Sequence, residues 1–110
     1  FLNMDKIRPD ALKAWLEDPQ RPQPFLLDVR EPWEFERCRL EAAELAPMQS
    51  LPERLGEFDP QPETVVICHR GVRSYHAARF LEHNGFTRVI NLTGGMDAWA
   101  RDVDPDMPLY

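Results

Sequence analysis

Three short apolar runs along the chain predict buried β-strands. Residues 25–29, 64–68 and 89–92 are almost continuously apolar, without the alternation of apolar and polar positions that marks a strand with one solvated face. Runs of this kind are typical of parallel strands that are covered on both sides. The sequence therefore predicts a mostly parallel sheet with a buried interior.

The segments before and between these runs carry helical patterns. Apolar residues recur at helical spacing from Pro9 to about Leu16, and Pro19 ends that helix. A second helix is expected from about Trp33 to Arg37. Residues 40–48 show neither the helical nor the strand pattern of apolar positions and are predicted to be irregular.

Three further helices are predicted in the second half of the chain. Ser50 and Glu53 have the spacing of a capping box, which predicts a helix start at Ser50. Ser74 opens the next helical pattern, and Asn84-Gly85 marks its end. Gly94-Gly95 interrupts the chain before the last helix.

The alternation of strands and helices predicts an α/β fold around a parallel sheet. In such folds ligands bind beyond the carboxyl ends of the strands, where Asp28 and Cys68 both lie. The length predicts one domain over residues 1–110. Residues 1–4 are expected to be disordered or, if Met4 is the natural start, to include an upstream remnant.

Cys68 stands between the end of a predicted strand and the start of a predicted helix. A side chain at that position lies among inward-pointing backbone N–H groups and at the positive end of a helix dipole. Both features favour a thiolate over a thiol, and Arg70 and Arg73 act in the same direction. The pattern predicts a nucleophilic sulfur. The alternative, a cysteine used as a small core side chain, does not explain two arginines and Gly71 at the end of a core strand.

Arg70 and Arg73 form a local positive spot on a chain whose formal net charge is −6. The acidic balance excludes a nucleic-acid-binding face, which would be basic. The contrast predicts a small anionic ligand or an acidic sulfur-bearing group. No stretch is long and apolar enough to span a membrane, and no signal pattern is evident, so no membrane partner and a cytoplasmic location are expected.

The two cysteines, Cys38 and Cys68, form neither a disulfide framework nor a CxxC pair. With His69, His76 and His83 they supply possible zinc-ligand types, but their spacing fits no metal template. The sequence therefore predicts neither a metal nor a cofactor.

Four motifs occur in one order along residues 26–101. They are Leu27-Asp28-Val29-Arg30-Glu31, Trp33-Glu34-Phe35, the loop Cys68–Arg73 followed by Ser74, and Asn91-Leu92-Thr93-Gly94-Gly95-Met96-Asp97-Ala98-Trp99. In these motifs and their spacing the chain resembles a single-domain rhodanese, a member of a sulfurtransferase family. The resemblance implies a three-layer α/β/α sandwich around a mostly parallel five-stranded sheet.

The resemblance also implies the chemistry of the loop. Cys68 would accept a sulfane sulfur from a small anionic donor such as thiosulfate, become a persulfide, and pass the sulfur to cyanide, a small thiol or a protein thiol. Arg70 and Arg73 would hold the donor and stabilise the charge on departing sulfite. Gly71 would supply a backbone conformation that is closed to other residues and leave the approach to the sulfur open.

The whole loop after Cys68 is predicted to bind substrate, and the residues are His69, Arg70, Gly71, Val72, Arg73 and Ser74. Ser74 either donates a hydrogen bond to the persulfide or is a plain helix N-cap. His69 either tunes the thiolate or contacts the acceptor, or it is an exposed loop residue without a role. Asp28 and Arg30 are expected to be structural braces around the site.

Two other functions share this loop. Phosphatase relatives of the fold use a loop one residue longer, which leaves room for a tetrahedral phosphate, so the six-residue loop Cys68–Arg73 favours sulfur transfer. A persulfide carrier or sensor that serves one partner protein would have the same loop, and the sequence does not separate it from a sulfurtransferase.

One segment departs from the family pattern. Where the family usually has Gly-His-Ile-Pro-Gly-Ala, this chain has Cys38-Arg39-Leu40-Glu41-Ala42-Ala43. The glycine that ends a helix is replaced by Cys38 and the histidine by Arg39, which leaves the backbone geometry there open. Cys38 is either a second, resolving thiol or a partly buried, inert side chain.

Overall fold

The centre of the molecule is a five-stranded sheet. A computed structural model describes residues 5–110, so the expectation for residues 1–4 lies outside the described residues. The strands are β1 (Asp5–Ile7), β2 (Phe25–Asp28), β3 (Glu44–Leu45), β4 (Thr64–Ile67) and β5 (Val89–Leu92). Their order is β1-β5-β4-β2-β3, and all neighbouring pairs are parallel. The predicted α/β fold is confirmed.

Helices connect the strands. They are α1 (Pro9–Leu16), α2 (Pro32–Arg37), α3 (Leu51–Arg54), α4 (Val72–His83) and α5 (Gly95–Asp102), with short 3-10 turns at Met48–Ser50 and Leu55–Glu57. Helix α1 begins at Pro9 and ends before Pro19, as predicted from the two prolines. Within residues 5–110, no helix has the length and apolar character needed to cross a membrane.

Two apolar clusters cover the two faces of the sheet. On one face the buried residues of α3 and α4 pack against Val66 and Cys68. On the other face those of α1 and α5 pack against Val65 and Ile67. Successive side chains of a strand point to opposite faces, so β4 contributes to both clusters. The result is the three-layer arrangement implied by the resemblance.

The apolar runs predicted β2, β4 and β5 but neither β1 nor β3. β1 is an edge strand with two exposed residues, and β3 has only two residues, so neither shows a period. The prediction that residues 40–48 are irregular is therefore wrong at Glu44–Leu45, which pair with β2. Pairing with a neighbour, rather than local pattern, makes these segments strands.

The predicted capping box at Ser50 and Glu53 is wrong. The predicted helix start is correct, because Ser50 is the N-cap residue of α3, but its hydroxyl donates to the Pro47 carbonyl at 2.6 Å and makes no capping hydrogen bond. The related contact occurs at α2, where the Glu31 N–H donates to the Glu34 carboxylate at 2.9 Å. This contact fixes the start of α2 at the carboxyl end of β2.

The sheet register brings the ends of β2 and β4 together. Asp28 is paired with Ile67, so the chain leaves both strands at the same edge of the sheet. The Val29 N–H donates to the Ile67 carbonyl at 2.9 Å and continues the pairing one residue further. Cys68 therefore emerges beside the β2–α2 connection.

Candidate active site

Cys68 is the residue directly after β4, and it is buried, with 1% of its surface exposed. Its sulfur accepts a hydrogen bond from the Gly71 N–H, with an N···S distance of 3.0 Å. The Ser74 hydroxyl oxygen lies 3.3 Å from the same sulfur. A short loop thus curls around the thiol and presents one backbone donor and one hydroxyl to it.

The start of α5 holds the loop carbonyls away from the sulfur. The Met96 N–H donates to the Cys68 carbonyl and the Asp97 N–H to the His69 carbonyl, both at 2.9 Å. The first N–H groups of a helix have no partner within the helix, so they are free to make these bonds. A Cβ on Gly95 would lie 2.3 Å from the Cys68 carbonyl oxygen, and this close approach therefore requires glycine.

Gly71 turns the chain from the loop into α4. It is the N-cap of the helix and has φ of 95°, a left-handed conformation that favours glycine. A Cβ at this position would also lie 3.1 Å from the Gly94 nitrogen. The conformation aims the Gly71 N–H at the Cys68 sulfur.

Ser74 lies inside α4, because the helix begins at Val72, two residues earlier than predicted. The interpretation of Ser74 as a helix N-cap is therefore wrong. Its hydroxyl donates to the Asn91 side-chain carbonyl, with an O···O distance of 2.5 Å. The Asn91 side-chain amide in turn donates to the Gly71 carbonyl at 3.0 Å. Four residues thus form a closed ring of contacts that includes the sulfur.

The two arginines of the loop have different surroundings. Arg73 makes two hydrogen bonds, at 2.7 and 2.8 Å, to the carboxylate of buried Glu34, so its charge is paired within the protein. Arg70 is exposed, and across residues 5–110 we find no hydrogen bond or ion pair that it makes. Arg70 is therefore the loop cation that is available to a ligand, while Arg73 joins α4 to α2.

The Glu34 carboxylate is a meeting point of three elements. Hydrogen bonding by Arg73 is the main reason that the pKa of Glu34 is lowered to about 2, although burial opposes the shift. The Tyr110 hydroxyl also donates to Glu34, at 3.0 Å, and accepts from the Arg30 guanidinium at 2.8 Å. Burial is the main reason that the pKa of Tyr110 is raised to about 12. The tyrosine is therefore neutral at physiological pH.

His69 is stacked against Tyr110 and is not the exposed loop residue of one sequence-based interpretation. The two ring centroids are 4.0 Å apart and the rings are nearly parallel, at 11°. Burial, followed by the positive charge of Arg70, lowers the pKa of His69, which favours the neutral imidazole. Its buried Nε2 has no hydrogen-bond partner in the described part of the chain.

Asp28 and Arg30 form an ion pair that is fully buried, with both side chains 0% exposed. Two guanidinium nitrogens of Arg30 contact the Asp28 carboxylate at 2.7 and 2.9 Å, and one of them also donates to the Cys38 carbonyl at 2.6 Å. Burial alone would lower the pKa of Arg30, but the hydrogen bonds and charge of Asp28 outweigh it and the pKa is raised. These contacts join the end of β2 to the C-terminal end of α2.

The segment that departs from the family pattern keeps ordinary backbone geometry. Cys38 ends α2 with φ of −163°, an extended conformation that needs no glycine. Its side chain is buried in the apolar cluster of α1 and α5, on the opposite face of the sheet from Cys68. Arg39 stacks on the Phe35 ring, with its guanidinium carbon 4.8 Å from the ring centroid. Because the two thiols lie on opposite faces of the sheet, the structure does not support Cys38 as a resolving thiol.

Three exposed apolar side chains lie on segments that adjoin the loop. Trp33, Val72 and Leu109 are the large apolar side chains that remain exposed among residues 5–110. Trp33 is the second residue of α2, Val72 begins α4, and Leu109 precedes Tyr110, whose ring contacts Trp33 edge-on at 5.7 Å and stacks on His69 of the loop. We call this set the apolar rim.

Sequence reasoning missed three residues of the site. Glu34 and Asn91 stand in the sequence motifs without a predicted role, although a polar residue such as Asn91 in the otherwise apolar strand β5 is a usable signal. Tyr110 lies far along the chain from the loop and no pattern marks it. The predicted loop residues, in contrast, lie together around Cys68, except that Arg73 points to Glu34.

The arrangement is suited to reaction at a sulfur anion or at a group bonded to that sulfur. Backbone N–H groups and a guanidinium stabilise negative charge without a metal ion. In residues 5–110, no three His, Cys, Asp or Glu side chains lie close enough together to hold a metal ion. The site thus combines one buried thiol, the exposed guanidinium of Arg70 and an imidazole whose pKa is lowered.

A protein-family model described as "Rhodanese-like domain" matches residues 8–102, which is most of the chain. Two relatives illustrate the range of protein lengths. The chain is 35% identical over 98 residues to a "Sulfurtransferase" of Allochromatium vinosum, with 89% of this chain and 90% of that protein covered. It is 34% identical over 109 residues to the "Rhodanese-like/PpiC domain-containing protein 12, chloroplastic" of Arabidopsis thaliana, with 94% of this chain but only 36% of that protein covered.

The fold is similar to that of solved structures. A crystal structure of a rhodanese-like domain protein from Staphylococcus aureus matches with a TM-score of 0.80 and 33% sequence identity. The match covers 87% of this chain and 91% of that chain. The sequence matches and this structural match therefore indicate the same family.

Proposed function

The chain belongs to the rhodanese-like domain family of sulfurtransferases and sulfur carriers, and we propose that it transfers a sulfane sulfur through a persulfide on Cys68. The observation that carries the proposal is the Gly71 N–H aimed at the Cys68 sulfur at 3.0 Å, in a loop whose carbonyls are held outward. A loop of this geometry stabilises negative charge on one sulfur atom or on a second sulfur bonded to it.

The proposed reaction has two displacement steps. In the first, the Cys68 thiolate attacks the outer sulfur of thiosulfate; the new S–S bond forms as the bond to the sulfonate breaks, and sulfite leaves with the electron pair. In the second, cyanide or a thiolate attacks the outer sulfur of the persulfide, and the Cys68 thiolate leaves with the electron pair. Each step passes one sulfur atom and needs no external oxidant or reductant.

Arg70 would bind the anionic donor and Glu34–Arg73 would hold the start of α4 in place. Arg70 is exposed and makes no ion pair among the described residues, although the charge of Asp97 acts on it at longer range, so its guanidinium can pair with a sulfonate. Arg73 is already paired with Glu34, so we assign it to the structure of the site. His69, whose pKa is lowered by burial and by Arg70, adds no positive charge to the loop near neutral pH, so the contact to the donor rests on Arg70.

Thiocyanate production from thiosulfate and cyanide tests the proposal. We expect turnover by the parent and a loss of about a thousandfold or more in Cys68→Ser, because the nucleophile is removed while the loop keeps its shape. Cys38→Ser is the matched control and should keep the parent rate, since Cys38 lies on the other face of the sheet. Parent-like turnover by Cys68→Ser would show that the nucleophile is assigned incorrectly.

A persulfide carrier for one partner protein is the second candidate. Cys68 is only 1% exposed, and the apolar rim formed by Trp33, Val72 and Leu109 offers a surface for a protein that carries an acceptor thiol. Slow release of sulfur to small acceptors, limited to one sulfur per chain, would favour this candidate. Steady turnover with cyanide or a small thiol would favour the enzyme. For either, the free thiols suit a reducing cytoplasm.

Hydrolysis of phosphate esters is the candidate with the least support. The loop from Cys68 to Arg73 has six residues, and the last arginine is tied to Glu34 rather than turned toward the sulfur. A phosphatase would need room for a tetrahedral phosphate and a free arginine to hold it. Hydrolysis of an aryl phosphate that is lost in Cys68→Ser would revive this candidate.

A further inference from the structure

We propose that Asn91 is a positioning residue for sulfur transfer, because its side-chain amide holds Gly71 and Ser74 in the orientations that set the reactivity of Cys68. Its part in sulfur transfer rests on the function proposed above. Its effect on the thiol itself rests only on the contacts of these four residues.

The strand register places Asn91 beside the loop. Asn91 is paired with Val66 of β4, two residues before Cys68, and its side chain points to the same face of the sheet. It is only 8% exposed in a strand whose other residues, Val89, Ile90 and Leu92, are apolar. A buried amide in such a strand is costly unless it is hydrogen-bonded. Both ends of this amide are bonded, and both bonds go to the loop and helix around the sulfur.

The Gly71 carbonyl fixes which way the Asn91 amide faces. A backbone carbonyl only accepts hydrogen bonds, so the NH₂ group of Asn91 must face it, at 3.0 Å. Gly71 is then held at two atoms: its carbonyl by Asn91 and its N–H by the Cys68 sulfur. The carbonyls of Cys68 and His69 are held by backbone N–H groups of α5. The Gly71 carbonyl is held instead by the side-chain amide of Asn91.

The direction of the Ser74 hydroxyl follows from the direction of the amide. With its NH₂ group on Gly71, Asn91 presents an oxygen to Ser74, and the single hydroxyl hydrogen is used at an O···O distance of 2.5 Å. Ser74 then presents only lone pairs to the Cys68 sulfur at 3.3 Å. It accepts from a thiol but gives no hydrogen bond to a thiolate.

This direction distinguishes the free sulfur from the loaded sulfur. On a free thiolate the charge lies on Cys68 Sγ, next to the lone pairs of Ser74. In a persulfide the charge lies on the outer sulfur, and the inner Sγ is a neutral bridging atom. Asn91 therefore disfavours the free anion relative to the persulfide, while Gly71 supplies the N–H donor.

Asn91→Asp converts this arrangement into one that depends on pH. A protonated carboxyl donates to Gly71 and accepts from Ser74, as the amide does, whereas an ionised carboxylate cannot donate and adds negative charge beside the sulfur. The rate of reaction of Cys68 with dithiodipyridine, divided by the parent rate at each pH, should fall about tenfold as the new carboxyl ionises. The other charged groups around Asn91 and the loop are Lys6 on the neighbouring strand β1, Glu34 of α2, His69 and Arg70 of the loop, Arg73 of α4 and Asp97 of α5. They are the same in both proteins, so their titration cancels to first order. A ratio that stays constant with pH would overturn the proposal.

Asn91→Leu tests the same role without a new charge. It removes both bonds at similar size and frees the Ser74 hydroxyl to donate to the thiolate. The midpoint of the pH profile of Cys68 reactivity should move to lower pH, and Ser74→Ala should remove that shift. A midpoint that stays in place, or a shift that persists in Asn91→Leu/Ser74→Ala, would count against the proposal. The same readout decides the case if Asn91→Asp does not fold.

Thr64→Val is the matched control. Thr64 is another buried polar residue of the sheet, and its hydroxyl donates to the Pro62 carbonyl at the start of β4, away from Cys68. The Thr64→Val variant should be less stable than the parent, but the pH profile of Cys68 reactivity should not move. Dithiodipyridine reacts with Cys68 directly and requires no sulfur donor. If the parent protein takes up no sulfur from thiosulfate, the proposed function is refuted, but the result for Asn91 still holds.

Discussion

The two connections that leave the sheet at the ends of β2 and β4 lie side by side but differ in how fully their polar groups are paired. The charged residues of the β2–α2 corner, residues 28–34, include Asp28, Arg30 and Glu34. Asp28 and Arg30 form a fully buried ion pair, and Glu34 pairs with Arg73 of α4. In the β4–α4 loop, residues 68–71, Arg70 makes no ion pair and His69 Nε2 makes no hydrogen bond among the described residues.

The difference assigns the two connections different tasks: the corner stabilises the fold, and the loop carries the reactive groups. The β2–α2 corner uses its charges to join β2, α2 and Tyr110, so little is left there for a ligand. The loop uses backbone contacts with α5 to keep its shape, which leaves its sulfur and Arg70 free for chemistry. We therefore expect substitutions in the corner to change stability first, and substitutions in the loop to change activity first.

Asp28→Ala should have the largest effect on stability. It leaves the Arg30 guanidinium buried without its carboxylate, which costs about 3–5 kcal/mol in the free energy of unfolding. Urea unfolding followed by circular dichroism measures the loss. Arg88→Ala, which breaks exposed pairs with Asp5 and Glu63, is the control and should cost about 1 kcal/mol or less. Equal losses in the two variants would contradict the contrast between corner and surface.

Glu34→Gln should have a smaller effect that depends on pH. The folded-state pKa of Glu34 is lowered from 4.5 to about 2, so its ion pair stabilises the protein above pH 4.5 and is lost as pH falls toward 2. Because Arg73 is 37% exposed, we expect about 1–2 kcal/mol near neutral pH. Urea unfolding at several pH values should show the difference from the parent shrinking below pH 4.5. A difference that grows with acidity would have the wrong sign.

Arg70→Ala should leave stability within about 0.5 kcal/mol of the parent, since the side chain is exposed. It should lower kcat/KM for thiosulfate about tenfold, because a charge-assisted contact to the donor is lost. The loss should shrink at high salt. Arg21→Ala removes an exposed arginine at the other edge of the sheet and should not change kcat/KM. If Arg70→Ala is destabilised but fully active, the roles assigned to the loop and the corner are wrong.

Much of the fold could be predicted because burial leaves a local pattern. The continuous apolar runs identified β2, β4 and β5, and prolines and glycines marked most helix ends. β1 and β3 could not be found in this way, since each is short and becomes a strand only by pairing with β5 or β2. The number of strands was implied by the family resemblance and not by the pattern.

The candidate site was predictable as a loop but not as a network. Spacing placed Cys68 between a strand and a helix, and the structure shows the expected N–H from Gly71. Spacing could not show that Arg73 pairs with Glu34 or that Tyr110 stacks on His69, because these contacts join residues far apart in the chain. Contacts of that kind depend on how the helices pack on the sheet.

The mass of the protein after treatment with thiosulfate shows whether Cys68 takes up the transferred sulfur. We predict a gain of one sulfur atom per chain, located by peptide mapping under non-reducing conditions on the peptide that contains Cys68, and its removal by cyanide. Added sulfur on Cys38, or no added sulfur on a folded protein, would contradict the account.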